Sequence, residues 1–321
     1  MAAKVWATQQ KAVDEIFFRN EAVSLCLLIN RRAGTMRVID FRAGPTSAKR
    51  LFVLSLAQRE GVSKVYTLVE RDEVQTWLKL GFAKEGTIPG FYKRSDAFLL
   101  GCSARAPLAI ARRSDVDDDD DPPQQSEMRI ALAGVAGAAA PVSAAHDRME
   151  RTVAAAKRGV KDGAEGALPA VKIAAIEPTD SRKAVAAALR SGRALTAYEA
   201  FGRDIERRFF VATARGGFEL HASIELQSCF GNAFLEILQS PRTPAEKAAT
   251  TAVLGALCDK LVSEEVVTCF SLAPSDDLAL ATAYVQNGFR RTGLLLDHLV
   301  ARGERKDAIV WSRKLANPTD D

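Results

Sequence analysis

Histidine and cysteine most often hold metals or form covalent bridges in proteins, and this sequence has few of either. The histidines and cysteines are widely scattered, with no Cys-x-x-Cys pair (His146, His221, His298; Cys26, Cys102, Cys229, Cys258, Cys269). Zinc sites have closely spaced ligands, and a disulfide framework has an even, dense set of cysteines, whereas the five cysteines here are odd in number and scattered. We therefore expect no metal centre and no disulfide scaffold, and we expect a cytoplasmic location, where thiols stay reduced.

Acidic and aromatic residues instead recur with the same spacing in two parts of the chain. Asp40 and Glu236 each stand five residues before a proline, and Trp77 and Tyr284 each stand four residues before a Gly-Phe pair. A carboxylate can act as a general base. A phenol can also donate a proton, whereas an indole is a donor without useful acidity. The second part of the chain therefore has both a candidate base and a candidate proton donor, whereas the first part has only the candidate base.

The elements that would position these residues alternate between strands and helices. From residue 171 onward the pattern predicts a strand, a helix, a hairpin over 207–226, a strand over 232–238, a second helix, a buried strand, a third helix and a closing pair of strands. Residues 22–104 repeat this order in shortened form. The fold class is therefore mixed α/β, with a largely antiparallel sheet flanked by helices, and the repeated order favours internal duplication.

A run of five aspartates, 117–121, followed by two prolines marks the sharpest boundary in the chain. Like charges repel one another and proline interrupts regular elements, so no packed element is expected there. An alanine- and glycine-rich tract follows, and then a helix over 146–160 that we expect to pack only loosely. The sequence thus predicts a first domain over 1–112, a linker with one helix over 113–169, and a second domain over 170–317.

Composition narrows the classes of function. The chain has 321 residues, of which 47% are hydrophobic and 26% are charged, and no apolar run is long enough to cross a bilayer. Residues 1–113 contain 19 Lys and Arg against 10 Asp and Glu, so this part carries +9 and the remainder −5 of the net +4. A basic part favours an anionic ligand. The absence of a basic run with interleaved aromatics argues against nucleic acid as a partner, and no membrane partner is expected.

Residues 277–289 resemble the last helix of GNAT-superfamily N-acetyltransferases. That family has Asn-x-x-Ala-x-x-x-Tyr-x-x-x-Gly-Phe in this helix, and here Asp277 replaces the asparagine while Tyr284 and the Gly-Phe pair are kept. The resemblance covers roughly 170–317. Residues 80–101 are similar to the closing segment of β-lysine N-acetyltransferases, a GNAT subgroup, in a match over about 22–104. The resemblance implies a tandem GNAT protein with a trimmed first unit, in which one helix and no opening strand precede Glu21.

This resemblance implies acetyl-CoA as the co-substrate and no metal. GNAT proteins bind the diphosphate at a helix N-terminus, where they have the loop Gln/Arg-x-x-Gly-x-Gly/Ala. The equivalent stretch here is 244–249, in which the last alanine fits, a proline removes one amide donor and Lys247 replaces a glycine. The implied cofactor-binding residues are Leu238, Ser240, Lys247, Ala248, Ala249, Thr250 and Asp277.

The resemblance also assigns roles to the acid and the tyrosine. Glu236 is expected to be the general base, and Tyr284 the proton donor to the leaving thiolate, in acetyl transfer to a primary amine of a small molecule or a protein. The structural alternatives are a surface carboxylate at Glu236 and a core-filling ring at Tyr284. The functional alternative is a non-catalytic GNAT pair that serves ligand sensing, partner binding or assembly of a homodimer. The poorly matching loop and Trp77 favour this alternative.

Overall fold

The computed structural model describes residues 13–19, 24–40, 44–104, 139–162, 167–203, 205–301 and 303–316. We call residues 13–104 the first half and residues 139–316 the second half. The aspartate run and most of the expected linker lie outside the described residues. Among the described helices, none is both long and apolar enough to cross a membrane.

The first half contains six strands and two helices: β1 (Val13–Arg19), β2 (Ser24–Asn30), β3 (Thr35–Asp40), α1 (Ser47–Arg59), β4 (Lys64–Val69), α2 (Val74–Lys79), β5 (Ala83–Ile88) and β6 (Ala97–Ser103). The sequence predicts one helix and no strand before Glu21; the absence of a strand is wrong, and residues 1–12 lie outside the described residues. β1 is a strand that pairs with β2 over seven residues. Exposed and partly buried residues alternate along β1, because only one face of this outer strand is covered.

The second half contains four helices and seven strands: α3 (Ala139–Asp162), β7 (Val171–Ile176), α4 (Pro178–Arg190), β8 (Glu206–Ala214), β9 (Phe218–Gln227), β10 (Asn232–Ile237), α5 (Pro244–Ser263), β11 (Thr268–Pro274), α6 (Leu278–Gln286), β12 (Arg290–Ala301) and β13 (Glu304–Lys314). From β7 onward the elements follow the order that the sequence predicts. α3 is longer than expected and does not pack loosely. Four of its side chains are buried in the core of the second half (Ala145, Met149, Val153, Ala156).

All thirteen strands form one sheet in the order β1-β2-β3-β4-β6-β5-β12-β13-β11-β10-β9-β8-β7. Read from its two ends, the sheet repeats one arrangement, since β1-β2-β3-β4-β6-β5 corresponds to β8-β9-β10-β11-β13-β12. In each half one parallel pair, β3·β4 or β10·β11, lies among antiparallel neighbours. The expected fold class, a mostly antiparallel mixed sheet flanked by helices, is confirmed.

The register of the two parallel strand pairs shows that Asp40 and Glu236 do not occupy equivalent positions, although their equal spacing to a proline suggested that they do. The carbonyl oxygen of Gly34 accepts hydrogen bonds from the amide of the first residue of β4 and from the amide of the residue before it. The carbonyl oxygen of Gly231 accepts the two equivalent hydrogen bonds at the start of β11. Counting from these glycines, Asp40 corresponds to Ile237, and Glu236 corresponds to the residue before Asp40. The side chains of neighbouring strand residues point to opposite faces. Asp40 and Glu236 therefore lie on opposite faces of their strands, and the spacing to proline misled because it counts loop residues.

The two halves are joined by backbone pairing and by a shared core. β5 pairs with β12 at Gly86 and Gly293. The loop after β5 also contacts the second half, because the side chains of Asn232 and Thr268 donate to the carbonyl oxygens of Phe91 and Pro89. The shared core takes buried side chains from both halves (Tyr66, Leu68, Ile88, Phe91, Ala97, Leu99; Phe201, Phe234, Phe270, Leu295, Ala308, Val310). The halves therefore form one packed body.

Candidate functional site

An opening between β10 and β11 places the candidate residues. The two strands pair in parallel from Asn232 to Phe234 on β10 and then stop pairing, although β10 continues to Ile237 and β11 to Pro274. The amide of Leu238 donates to the carbonyl of His221 on the β9 side. Because peptide groups alternate along a strand, those of Ile237 face the β11 side. The opening thus has a polar backbone edge beside it.

Tyr284 flanks this opening on the side covered by α5 and α6. Its hydroxyl lies 2.5 Å from the hydroxyl of Ser271, the first β11 residue beyond the pairing. The ring is 1% exposed and stacks on Trp311 at a centroid distance of 5.5 Å. Burial raises the pKa of the Tyr284 phenol, which therefore remains protonated at neutral pH. The side chain is a core ring, as the alternative expected, and its hydroxyl lies against the β11 residue at which the pairing with β10 has stopped.

Glu236 flanks the same opening on the opposite face of the sheet. Its carboxylate accepts hydrogen bonds from Thr196 at 2.5 Å, Arg207 at 2.8 Å and Ser223 at 3.3 Å. Only 12% of the side chain is exposed, so a surface carboxylate is excluded. Burial raises the pKa of Glu236, and the charge of Arg207 opposes this rise without cancelling it. A raised pKa makes this carboxylate a stronger base than an exposed glutamate.

Arg207 connects Glu236 to a second buried carboxylate. Its guanidinium also pairs with Glu225, which accepts from the backbone amides of Phe201 at 3.0 Å and Gly202 at 2.5 Å. Arg207 further donates to the carbonyl of Glu199 at 2.7 Å. One arginine therefore serves two carboxylates, which leaves this group with an excess negative charge.

Glu236 lines a cavity between the two halves, which we call the interhalf cavity. Its volume is about 80 Å³, and it opens to solvent on one side. The first half contributes β2, β3 and β4, and the second half contributes the loop over 195–201 together with β10, β11 and β12. Its polar and aromatic lining residues are Asn30, Arg32, Thr35, Arg37, Tyr66, Thr196, Glu199, Phe201, Phe234, Glu236 and His298.

Sequence reasoning missed the residues that the first half and β12 bring to this cavity. His298, one of the scattered histidines of the sequence, is only 5% exposed and packs against the Tyr66 ring at 4.7 Å. Burial, together with the positive charges of Lys64 and Arg305, lowers the pKa of His298 to about 3, so this side chain is neutral. The packing of one half on the other has no local sequence signal.

Side chains at the start of α5 accept hydrogen bonds from the backbone amides at the N-terminus of this helix. Thr243 caps the helix and accepts from the amide of Glu246 at 3.1 Å, while the Glu246 carboxylate accepts from the amide of Arg242 at 2.6 Å and pairs with Arg193 at 3.0 Å. Burial alone would raise the pKa of Glu246, but the Arg242 amide and the charge of Arg193 outweigh it and lower the pKa. An ionised carboxylate thus lies where the helix dipole favours an anion.

The residues expected to hold acetyl-CoA lie along α5 and near its start. Lys247 and Ala248 are in the first turns, with Lys247 exposed and its amide bonded to the Thr243 carbonyl. Ala249 and Thr250 are buried, and the Thr250 hydroxyl donates to the Glu246 carbonyl at 2.8 Å. These two face the protein interior.

Two further expected contact residues, Ser240 and Asp277, bond to each other. The Ser240 hydroxyl donates to the carboxylate of Asp277, which also caps α6 by accepting from the Leu280 amide at 3.0 Å. The amide of Leu238 bonds to His221 and its carbonyl to Leu195, so both of its backbone groups are satisfied within the fold.

The equivalent opening in the first half is filled by an ion pair. Lys49 and Asp40 form a salt bridge with side chains 1% and 2% exposed, and the Lys49 ammonium lies 4.4 Å from the centre of the Trp77 ring. Trp77 occupies the place of Tyr284. Because the cation and the indole fill this space, the first half has no counterpart of the phenol and the opening beside it.

An acyl-CoA fits the second half at its thioester end. The opening, the Ile237 peptide groups and the Tyr284 hydroxyl suit a thioester arm, and exposed Arg242 and Lys247 at the start of α5 suit a diphosphate by charge. Glu246 would compete with that diphosphate. Within the described residues, no group of three or more His, Cys, Asp or Glu side chains is placed to hold a metal ion.

Comparison of the whole chain with known proteins adds a likeness of fold. No family model and no curated protein matches the sequence. A spermidine N-acetyltransferase from Vibrio cholerae, solved with CoA and spermine, is 15% identical with a TM-score of 0.38, over 46% of this chain and 96% of that one. A ribosomal-protein alanine N-acetyltransferase from Escherichia coli is 18% identical with a TM-score of 0.35, over 47% and 98%. A protein described as a putative acetyltransferase from Sphaerobacter thermophilus is 15% identical with a TM-score of 0.37, over 47% and 99%. These three solved structures are described as acetyltransferases, and less than half of this chain covers nearly the whole length of each.

Proposed function

We propose that the chain is an N-acyltransferase that moves an acetyl group from acetyl-CoA to a primary amine. One observation carries the proposal: Glu236 and Tyr284 flank the same strand opening from its two faces. A base on the cavity side and a proton donor on the helix side are the two groups that acyl transfer from a thioester requires.

The roles of the two residues follow from their positions. An alkylammonium ion has a pKa of about 10 and must lose a proton before it attacks. Glu236 accepts this proton from the ammonium group, directly or through a water molecule. When bound, acetyl-CoA would supply the thioester carbonyl, so that the new N–C bond forms as the C–S bond breaks. The phenol of Tyr284 would give its proton to the departing sulfur and recover a proton from the new amide nitrogen, which loses its second proton through water, while Ser271 holds the phenol in place.

The acceptor amine belongs in the interhalf cavity. The group formed by Glu225, Glu236 and Arg207 carries two negative charges and one positive charge, which favours a cation beside it. The cavity has walls from both halves, which suits a small-molecule amine or an extended side chain rather than a folded surface. The first half thereby contributes to binding of the acceptor without performing the reaction.

The test uses the full chain and measures donor binding and transfer separately. Calorimetry with acetyl-CoA reports binding, and release of free thiol in the presence of a panel of primary amines reports transfer. The proposal expects acetyl-CoA binding below millimolar concentration and amine-dependent thiol release. Absence of binding at millimolar acetyl-CoA would exclude it.

The second candidate is a non-catalytic protein that binds an amine in the same cavity. Glu246 favours it, because its carboxylate takes the place that a diphosphate would occupy at the start of α5. Under this candidate, amines bind with the same affinity whether or not acetyl-CoA is present, and no thiol is released. The two measurements above therefore separate the candidates.

The domain boundaries at 1–112, 113–169 and 170–317, the cytoplasmic location and a homodimer stay predictions. Limited proteolysis tests the first of them, since cleavage should occur near the aspartate run. Because the halves share a core, we expect the two fragments to elute together in gel filtration after this cleavage.

A further inference from the structure

Arg37 is a buried cation of the interhalf cavity. It lies on β3 of the first half and is only 9% exposed. One terminal nitrogen donates to the Phe201 carbonyl, and the guanidinium carbon lies 5.0 Å from the centre of the Phe201 ring. Its Nε is shielded from solvent and has no hydrogen-bond partner in the part of the chain that the structure describes.

Arg37 differs from the other buried cations that the structure describes. Lys49 pairs with Asp40, Lys64 with Glu85, and Arg207 with Glu225 and Glu236. No described carboxylate forms an ion pair with Arg37. Burial of a charge without a counterion is unfavourable unless something else satisfies it. A ligand that carries a carboxylate would satisfy Arg37, since guanidinium binds carboxylate through two parallel hydrogen bonds.

His298 provides a second, independent indication at the same place. Arg37 is paired in register with Tyr66, whose ring contacts His298. The Nδ1 atom of this neutral imidazole is buried and has no hydrogen-bond partner among the described residues, and His298 lines the interhalf cavity with Arg37. A neutral imidazole protonated at Nδ1 can donate one hydrogen bond. Two residues that line the same cavity therefore each have a buried nitrogen to which the described residues provide no partner.

We infer that the acceptor carries a carboxylate as well as its amine, and that Arg37, assisted by His298, binds this carboxylate. The ligand class is an amino acid whose ammonium group lies toward Glu236. This inference rests on the proposed function for the identity of the reacting amine. The cavity offers a group for each end of such a molecule, because the cluster of Glu225, Glu236 and Arg207 has an excess negative charge and no carboxylate in the described part of the chain pairs with Arg37.

Pairs of ligands that differ only by a carboxylate test the inference without any donor. Lysine is compared with cadaverine, ornithine with putrescine, and β-alanine with ethylamine, by calorimetry on the full chain. In at least one pair we expect the amino acid to bind about tenfold or more tightly than the amine, since a hydrogen-bonded charge pair contributes roughly 1.5–3 kcal/mol. If the amino acid binds no more tightly in any pair, the inference is overturned.

Variants locate the carboxylate. Arg37→Gln should abolish the preference for the amino acid while the affinity for the matching amine is unchanged, and Arg37→Lys should keep part of it. Arg59→Gln is the matched control, because the Arg59 side chain is 72% exposed, outside the cavity, and should change nothing. If Arg37→Gln fails to fold, the inference is decided by the ligand pairs measured on the wild-type chain and on Arg37→Lys. A preference that survives in Arg37→Lys undiminished would place the carboxylate elsewhere.

Acetyl transfer is measured separately, so that the two proposals can fail independently. Carboxylate-dependent binding without thiol release supports this inference and contradicts the proposed function. If thiol is released as rapidly with cadaverine as with lysine, the proposed function is supported and this inference is contradicted.

Discussion

The hydroxyl of Tyr284 lies 2.5 Å from the hydroxyl of Ser271, at the residue where β11 stops pairing with β10. This contact gives a buried phenol a fixed direction toward the strand opening. Either oxygen can be the donor. A phenol proton can therefore point to a sulfur atom in the opening while the phenol oxygen accepts from Ser271.

Substitution of Tyr284 by phenylalanine separates catalysis from packing. Tyr284→Phe keeps the ring stacked on Trp311 and removes the proton donor, so kcat should fall by roughly 100- to 10,000-fold with little change in KM. The variant also leaves the Ser271 hydroxyl without a partner, which should cost about 1 kcal/mol of unfolding free energy. Steady-state kinetics and urea unfolding measure the two effects.

The double variant Ser271→Ala with Tyr284→Phe is the control for stability. It removes both hydroxyls, so the unfolding free energy should return toward that of the wild-type chain while kcat stays low. If kcat recovers together with stability, or if Tyr284→Phe leaves kcat unchanged, the phenol has only a structural role.

The strand and helix that carry Glu236 and Tyr284 could be predicted because each is a local pattern. The tyrosine precedes a Gly-Phe helix end, and the glutamate lies in a short apolar strand. The exact register could not be predicted, because spacing to a proline counts loop residues and a shift of one residue exchanges the two faces of a strand. Arg37 and His298 could not be identified either. They come together only when the two halves pack, and such contacts between distant segments leave no periodic signal.

Glu236 gives a prediction about pH. A general base must be deprotonated, so activity should fall as pH decreases through its pKa. Burial raises the pKa of Glu236, so the acidic limb of kcat/KM should have its midpoint above the value for an exposed glutamate, about 4.3. Glu236→Gln keeps acceptors for Arg207 and Thr196 but should remove this limb and lower kcat/KM by roughly 100-fold or more.

The exposed Glu206 provides the control for Glu236, because its side chain is 55% exposed and pairs with Arg208 outside the cavity. Glu206→Gln should leave the pH profile unchanged. An unaltered acidic limb in Glu236→Gln would assign the base to another group.

The start of α5 gives a prediction about the donor. Glu246→Gln removes a negative charge from the helix N-terminus but retains the capping pattern, because glutamine can also accept at that position. If the diphosphate of acetyl-CoA binds there, the Kd should decrease by about 2- to 5-fold, as expected from about 0.3–1 kcal/mol for a charge at a helix end. Calorimetry at low salt measures this change.

Glu264→Gln is the matched control for the donor site, since it removes a carboxylate from the opposite end of the same helix. It should leave the Kd of acetyl-CoA unchanged. Equal effects of the two substitutions would mean that the change in net charge, rather than the site at the start of α5, determines binding.

Gly293 and Gly86 give a prediction about the junction of the two halves. A Cβ atom on Gly293 would lie 2.5 Å from the Cα of Gly86 and 2.6 Å from the carbonyl oxygen of Glu85, whereas one on Gly86 would lie 3.1 Å from the Cα of Gly293. Backbone atoms cannot move aside as a flexible side chain can. Gly293→Ala should therefore cost roughly 1–3 kcal/mol of unfolding free energy, and Gly86→Ala less.

The same substitution should disturb the interhalf cavity, because the junction fixes how Arg37 faces Glu236. Gly293→Ala should thus weaken amine binding as well as lower Tm. Gly159→Ala is the control, since a Cβ there would meet nothing within 4 Å and alanine favours the helix, so its stability should rise by roughly 0.5–1 kcal/mol. A Gly293→Ala chain with unchanged Tm and unchanged amine affinity would show that the halves do not need this close backbone contact.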